Sequence, residues 1–314
     1  MASSKVTPNI NKKSQLVGKD STDFQEIPKC GILGAGLIAK MAAQLIHNAG
    51  FPVAMWARKS HQLNEFKYTG IQTKKNQETV ILESDIIFCC IATAEAMDEV
   101  IFINAKALSA VSDSKIIVNL SNISQKDSKR MAKITSSVGG FYLEAQLHTW
   151  KAHAQMKLTM CSGAVQAFQR VEMFLQIISE KVLFLGTDVG KAPIVNTVIQ
   201  VAAGPAMIAI SESFALAEKS NVHPQDLYNI YKLTNLASAA FLEAAKSISS
   251  CEFPNLYPLK FMRKDLERAM DISNLKCLPM NMTVISVEML KSAQILGYDN
   301  QDTSSIYSCN LDDK

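Results

Sequence analysis

The stretch KCGILGAGLIA at residues 29–39 is a short apolar run followed by G-x-G-x-x-A and the start of an amphipathic helix. This order is typical of the phosphate-binding turn of a dinucleotide-binding fold. Gly34 permits the tight turn, Gly36 lets the backbone approach a pyrophosphate, and Ala39 is small enough for close helix–strand packing. Because the helix also directs free N–H groups at the phosphates, the first candidate cofactor contacts are Gly34, Ala35, Gly36, Leu37 and Ile38.

Apolar runs and helical patterns alternate along the first half of the chain. Continuous runs such as DIIFCCI at 85–91 and KIIVNL at 115–120 predict buried parallel strands. After Gly186, long helical patterns replace the strands. We therefore expect an α/β protein, with a Rossmann-type doubly wound parallel sheet followed by an all-helical domain. The predicted divisions are a disordered tail at 1–28, the sheet domain at 29–188, the helical domain at 189–306 and a loose tail at 307–314.

The composition excludes several classes of protein. The net charge of +3 gives no indication of nucleic-acid binding, and the first residues lack the apolar segment of a secretory signal. The seven cysteines form no C-x-x-C pair and the five histidines have no metal spacing, which indicates an intracellular protein with reduced thiols and no metal site. The apolar stretch 192–216 is long enough for a membrane span, but it contains Asn196, Gln200 and Glu212, so we expect a buried helix in a protein without a membrane segment.

The segment WARKSHQ, after the second predicted strand, bears on the choice of cofactor. In dinucleotide-binding folds this position lies next to the adenosine ribose. An acidic residue there binds the 2′-hydroxyl of NAD, whereas a basic residue accommodates the 2′-phosphate of NADP. The chain has Arg58, Lys59 and Ser60 there and no acid from Phe51 to Asn64, which favours NADP(H). The alternative is a solvated basic pair at a helix start, although cations are unfavourable there unless an anion compensates them.

From residue 29 to residue 307 the arrangement resembles the β-hydroxyacid dehydrogenase family, which includes 3-hydroxyisobutyrate dehydrogenase. The resemblance implies that Ser121 and Asn122 stand at the family's S-T pair on the nicotinamide side. It also implies that Lys264, in an intact K-D-L motif, lies against the cofactor, although an isolated lysine on an amphipathic helix would be a surface residue. The remaining candidate cofactor contacts are Ala92 and Thr93.

The catalytic signatures of the family are altered in this chain. Its D-A-P-V-S-G-G segment corresponds to EAQLHTW here, with His148 at the serine and Thr149 and Trp150 at the glycines. Its G-x-G-x-x-x-K-x-x-N motif places Asn196 at the lysine and Ile199 at the asparagine. An amide can donate a hydrogen bond but cannot deliver a proton, so the resemblance implies impaired catalysis, at a cost of about 10²–10⁴ in rate for the acid alone.

Three hypotheses follow. The first is a non-catalytic NADP(H)-binding module that forms a homo-oligomer, a dimer or tetramer, through its helical domain. Similarity to a nuclear branch of the family that lacks the usual lysine implies association with chromatin proteins and a nuclear location, with a cytoplasmic location as the alternative. That similarity lies in residues 142–145, 257–266 and 304–307.

The second hypothesis is an active NADPH-dependent reductase of small aldehydes or β-hydroxy acids, in which His148 donates the proton. A loop histidine satisfied by its neighbours is the plainer interpretation of that residue. The third hypothesis is a sensor that exchanges NADP and NADPH, which the sequence does not separate from the first.

Overall fold

The computed structural model describes residues 27–112, 114–148, 156–254 and 257–311. Its first part is an eight-stranded sheet with helices on both faces. The strands are β1 Cys30–Leu33, β2 Val53–Trp56, β3 Gln72–Thr73, β4 Ile86–Cys89, β5 Ile116–Asn119, β6 Phe141–His148, β7 Met156–Gly163 and β8 Ser179–Phe184. The helices are α1 Leu37–Asn48, α2 Gln77–Glu83, α3 Ala94–Met97, α4 Ala105–Ala110, α5 Gln125–Ser137 and α6 Val165–Ile178.

The strand order is β3-β2-β1-β4-β5-β6-β7-β8, which confirms the predicted doubly wound sheet. The sheet is not wholly parallel, because β6 and β7 pair antiparallel. Only residues 149–155 connect them, and parallel neighbours need a crossover of about a dozen residues or more. The two-residue strand β3 could not be predicted from an apolar run, because its residues Gln72 and Thr73 are polar and exposed.

The two faces of the sheet are covered by different helices. Along β4, Ile86 and Phe88 pack into a cluster with residues of α1 and α6, while Ile87 and Cys89 pack into one with residues of α2, α4 and α5. Successive strand residues point to opposite faces, so a strand covered on both sides needs the continuous apolar run that predicted it.

The second part of the chain is helical and is arranged around one long helix. The helices are α7 Lys191–Lys219, α8 Pro224–Tyr231, α9 Ala239–Ser250, α10 Leu259–Leu275, α11 Asn281–Ile295 and α12 Ile306–Leu311. Helix α7 contacts α8 to α12, and it approaches α10 closely where a Cβ at Gly204 would lie 2.7 Å from the Leu266 side chain. The predicted boundary at 188 falls between the end of β8 and the start of α7.

The predicted tails need one correction. The tail predicted to be loose from residue 307 begins with α12, in which Ile306 and Tyr307 are buried. Tyr307 packs in an apolar cluster with Phe214, and its hydroxyl donates to Glu218 of α7. These long-range contacts fix a segment whose own composition is polar. Residues 1–26 of the predicted disordered tail and residues 312–314 lie outside the described residues.

Helix α7 was predicted to be buried, but only one side of it is. Within the described residues it is the one helix long and apolar enough to cross a membrane, and 44% of its most apolar 18-residue window is buried. Its buried side carries the polar residues Asn196, Thr197, Gln200 and Ser211. The buried side also carries apolar residues, among them Met207 and Phe214. The exposed side carries the large apolar residues Val198 and Leu216 together with the charged Glu212.

Candidate functional site

The turn after β1 has the geometry that a glycine-rich phosphate loop requires. Gly34 has a φ of +130°, and a Cβ there would lie 2.3 Å from the main-chain oxygen of Cys90, so no other residue fits without a backbone shift. The Gly34 N–H donates to Trp56 O (2.9 Å), and the Cys90 N–H donates to Leu33 O (2.9 Å). The turn therefore lies between the carboxyl ends of β2 and β4.

The start of α1 is open to a ligand. Gly36 is its N-cap, no side chain caps the helix, and its first turn contains no acidic residue. A Cβ at Gly36 would meet no atom within 4 Å. Leu37 is exposed, Ala35 and Ile38 are half-buried, and Ala39 is buried against the sheet. The first N–H groups of a helix have no intrahelical partner, so these residues fit a bound diphosphate.

The predicted 2′-phosphate contacts Arg58, Lys59 and Ser60 are exposed directly after β2. The nearest acidic partner of Arg58 is Glu99, with 3.9 Å from Nη1 to Oε2 and both side chains about two-thirds exposed. An exposed pair at that distance contributes little. From Ser60 the chain forms a 3₁₀ segment, Ser60–Phe66. Its buried residues Leu63 and Phe66 are three apart, which is the 3₁₀ repeat.

The loops after β4 and β5 form the next part of the site. Ala92 is exposed, and Thr93 caps α3 by accepting the Ala96 N–H (3.1 Å). Ser121 joins the two loops, because its hydroxyl accepts the Ile91 N–H (2.9 Å) and donates to Cys89 O (3.1 Å). The Ser121 and Thr93 hydroxyls therefore shape the loops through bonds within the protein.

Lys264 of α10 faces this region. The pKa of Glu95, at the start of α3, is lowered by hydrogen bonds from the main-chain N–H of Glu95 and from the Thr93 side chain. The positive charges of Lys264 and Arg268 lower the pKa of Glu95 further. Lys264 is half-buried. The neighbouring Asp265 of the K-D-L motif is bonded to Asn122 in the loop after β5, so the motif lies beside that loop; the contact of Lys264 with a cofactor stays a prediction.

Asn122, a predicted cofactor contact, is bonded to the helical part. Its Nδ2 donates to Asp265 Oδ1 (2.7 Å), while Arg268 Nη1 donates to its Oδ1 (2.8 Å) and Arg268 Nη2 to its main-chain oxygen (2.8 Å). Arg268 Nη1 also donates to Asp265 Oδ1 (3.1 Å), and the Tyr257 hydroxyl donates to Asp265 Oδ2. Both polar atoms of the Asn122 side chain are thus bonded within the protein, a role that the sequence did not indicate.

Asn196 stands on the buried side of α7, near the junction of the two parts. It is 5% exposed, and its side chain forms no hydrogen bond with the described residues. Gln200 is 7% exposed, and its Oε1 is buried without a hydrogen-bond partner in that same part of the chain. One helical turn separates the two amides, so they share a face of the helix. The resemblance pointed to Ile199 as the altered asparagine position, but Ile199 is only half-buried, and Gln200 is the residue on the buried face.

Glu144 fixes the start of α7, the helix that carries Asn196. Its buried Oε2 accepts the Gly190 N–H (2.6 Å) and the Ser162 hydroxyl, while Ser162 Oγ accepts the Ala192 N–H (3.0 Å). Burial raises the pKa of Glu144, and the hydrogen bonds from serine hydroxyls and from Gly190 oppose this. Gly190 has a φ of +98°, a conformation that favours glycine, and a Cβ there would lie 2.2 Å from Gln125 Cγ.

His148, the proton donor of the reductase hypothesis, ends β6 opposite Leu158. It is half-buried, and burial lowers its pKa. A lowered pKa favours the neutral imidazole, which has less capacity to act as an acid at neutral pH. Thr149 and Trp150, the other altered positions of the substrate segment, lie outside the described residues.

Two family models together match most of the chain. The NAD-binding domain of 6-phosphogluconate dehydrogenase matches residues 29–186, and the NAD-binding domain of NADP-dependent 3-hydroxyisobutyrate dehydrogenase matches residues 190–309. The chain belongs to the β-hydroxyacid dehydrogenase family. The resemblance drawn from the motifs is therefore confirmed, and the family's domains are built for a nicotinamide dinucleotide.

Among curated proteins, the chain is similar to the cytokine-like nuclear factor N-PAC. It is 28% identical to the Anopheles gambiae protein over 96% of this chain and 54% of the relative. It is 24% identical to the human protein over 89% of this chain and 51% of the relative. The chain thus spans about half the length of these relatives.

Solved structures share the fold. A 3-hydroxyisobutyrate dehydrogenase from Salmonella typhimurium superposes with a TM-score of 0.81 at 19% identity, covering 90% of this chain and 99% of that one. Psf3 in complex with NADP+ and 2-OPP superposes with a TM-score of 0.79 at 16% identity, covering 89% and 99%. At these identities the likeness establishes the fold alone.

Proposed function

We propose that this protein binds NADP(H) in a β-hydroxyacid dehydrogenase fold whose proton-donating chemistry is impaired, and that it acts as an oligomeric module. The observation that carries the proposal is the buried amide of Asn196 at the position where the resemblance places the family lysine. The phosphate turn at Gly34 and Gly36 keeps the geometry of a cofactor cradle. A protein that has lost the proton-donating lysine but keeps the phosphate-binding turn is expected to bind the cofactor without catalysing the reaction.

The residues present fit the cofactor. The start of α1 offers unpartnered N–H groups to the diphosphate, and the exposed Arg58 and Lys59 offer positive charge to a 2′-phosphate. Lys264 supplies a further cation on α10, next to Asp265, which binds Asn122 of the loop after β5. A bound nicotinamide would supply hydride-transfer chemistry, while Asn196 could orient a ligand oxygen by donating a hydrogen bond but could not protonate it.

Binding and turnover measurements on the purified chain test this proposal. We expect calorimetry to show NADPH binding and a panel of small aldehydes and β-hydroxy acids to show no turnover above background. Asn196→Lys should restore little activity, because Trp150 in the substrate segment and Ile199 at the family asparagine would remain. Robust wild-type turnover that His148→Ala abolishes would establish the reductase instead, and failure to bind any nicotinamide nucleotide would exclude both functions.

The helical part is proposed to be the oligomer interface, with a second copy of the chain covering the exposed side of α7. Val198, Ala202, Ala209 and Leu216 are exposed on this side. Val198 and Leu216 are 18 residues apart, which is about five turns at 3.6 residues per turn, so they lie on one face. Glu212 is the exposed charged residue between them. An exposed helix side of this length with large apolar residues is typical of a protein interface.

Association with chromatin proteins in the nucleus is the finer part of the proposal. It is supported by the similarity to N-PAC relatives, which are named nuclear factors, and by the departure from the family lysine. Fractionation of cells that express the tagged full chain tests it. We expect the protein in the nuclear, chromatin-bound fraction, and a uniformly cytoplasmic protein would contradict this location.

A further inference from the structure

Four side chains join the sheet part to the helical part next to the proposed cofactor site. Asn122 comes from the loop after β5, whereas Tyr257, Asp265 and Arg268 come from α10 and the residue just before its N-cap. The side chains of Asp265 and Arg268 are 3% and 16% exposed. We call these four residues the interdomain latch.

The bonds of the latch are directional and partly charged. Arg268 donates two hydrogen bonds to Asn122, one to the side-chain oxygen and one to the main-chain oxygen, each 2.8 Å long. Asp265 accepts from Asn122 and Arg268 on one oxygen and from Tyr257 on the other. A guanidinium group that donates through two nitrogens fixes orientation as well as distance. The loop after β5 and α10 are therefore held in one relative position.

This position determines where Lys264 lies. Lys264 precedes Asp265 on α10, and the bond from Asn122 to Asp265 (2.7 Å) brings this part of α10 next to the loop after β5. The positive charges of Lys264 and Arg268 also contribute to lowering the pKa of Glu95 at the start of α3. Ser121 next to Asn122 binds the loop after β4 through Ile91 and Cys89. A shift of α10 would thus move Lys264 away from both loops that border the proposed nicotinamide end of the site.

We propose that Arg268 is a positioning residue for the cofactor: through Asn122 and Asp265 it holds Lys264 against the loops after β4 and β5, so that the cleft for the nicotinamide half is formed before the cofactor arrives. The adenosine half needs no latch, because Gly36, Arg58 and Lys59 all belong to the sheet part. This inference rests on the proposed NADP(H) binding and adds a residue that acts on one half of the ligand only.

The test compares two ligands on three proteins. NADPH reaches both halves of the site, whereas 2′,5′-ADP carries only the adenosine and its 2′-phosphate. Arg268→Ala removes the latch, and Arg263→Ala is the matched control, since Arg263 is also a partly buried arginine of α10 but pairs within its own helix with Glu267 (2.6 Å). Calorimetry gives the Kd of each ligand, and thermal unfolding shows that each variant is folded.

For Arg268→Ala we expect the Kd of NADPH to rise about 10-fold or more, as loss of charged hydrogen bonds implies, while the Kd of 2′,5′-ADP stays within about twofold of wild type. Arg263→Ala should change neither. If Arg268→Ala does not fold, Asn122→Ala tests the same bonds from the sheet side with the same expected split.

Equal effects on the two ligands, or no effect on NADPH, would show that the latch only supports the fold and would overturn the inference. A wild-type protein that binds neither ligand would instead refute the proposed function. A wild-type protein that binds both, with no split in the variants, refutes the latch alone.

Discussion

At the scale of single residues, the exposed cations Arg58 and Lys59 offer a direct test of cofactor choice. Changing both to Ala should raise the Kd of NADPH by about 10- to 100-fold, because each bond to a charged group contributes about 1.5–3 kcal/mol. The Kd of NADH, which lacks the 2′-phosphate, should change much less. Calorimetry with both nucleotides measures the two effects.

The control for this experiment removes the same charge elsewhere. Lys181 on β8 and Lys276 after α10 are both exposed, and β8 lies at the opposite edge of the sheet from β2 and β3. Changing this pair to Ala should leave both affinities unaltered. Equal losses for NADPH and NADH in the Arg58 and Lys59 variant would refute the 2′-phosphate assignment.

Glu144 gives a second prediction at this scale, on the pH dependence of stability. Burial raises the pKa of Glu144 in the folded chain, so the folded state holds its proton to higher pH than the unfolded state does. Stability is therefore lost as pH rises from the ordinary glutamate range through the raised pKa, at about 1.4 kcal/mol per unit of difference. Glu144→Gln keeps an acceptor for Gly190 and Ser162 but has no proton to lose.

Urea unfolding between pH 5 and pH 8 checks this. The wild type should lose more stability over this range than Glu144→Gln, which should equal or exceed it at pH 8. The exposed Glu65, paired with Lys40, provides the control, and Glu65→Gln should follow the wild-type curve. Parallel curves for wild type and Glu144→Gln would mean that the carboxyl group titrates as in the unfolded chain.

At the scale of elements, the two glycines of the turn between β1 and α1 have different roles. Gly34 is needed for the fold, whereas we expect Gly36 to be needed only for ligand binding. Gly34→Ala forces a Cβ into the Cys90 carbonyl at a positive φ and should cost about 1–3 kcal/mol or more of stability. Gly36 has a φ of −68° and ψ of 173°, which alanine adopts readily, and open space around it. Gly36→Ala should therefore keep the melting temperature within a few degrees.

The same methyl group at residue 36 would stand where a diphosphate approaches the helix start, so NADPH affinity should fall. Thermal unfolding and calorimetry on the two variants measure the two effects separately. A Gly36→Ala protein that binds NADPH as tightly as wild type would show that the diphosphate does not lie against this turn.

The elements also show what the sequence could predict. A strand buried on both faces, such as β4, requires a continuous apolar run, and the phosphate-binding turn requires the glycine motif at Gly34 and Gly36. Both patterns can be read from the sequence, so the sheet and this turn were predicted. The exposed β3 leaves no such run, and the contact of Arg268 with Asn122 joins residues 146 positions apart. Contacts between residues so far apart in the sequence depend on how the two domains pack together, and no local sequence pattern predicts that packing. The interdomain latch and the hydrogen bonds of Glu144 could therefore be identified only in the structure.

At the scale of the whole molecule, we expect the exposed side of α7 to mediate association between copies of the chain. A glutamate at Val198 or at Leu216, which are 62% and 69% exposed, would place a charge in the proposed interface without disturbing the monomer core. Burying an unpaired charge there is costly, so each variant should sediment as a monomer, whereas the wild type should sediment as a dimer or tetramer. Sedimentation velocity at several protein concentrations measures this.

Tyr68 is the control for the oligomer prediction, because it is 98% exposed and belongs to the sheet part, just after the 3₁₀ segment Ser60–Phe66. Tyr68→Glu should leave the assembly intact, which separates an effect at the interface from a general effect of added negative charge. A wild-type chain that sediments as a monomer would contradict the interface. Partition of the wild type into lipid vesicles, abolished by Leu216→Glu, would assign the same apolar side to a membrane rather than to a second copy of the chain.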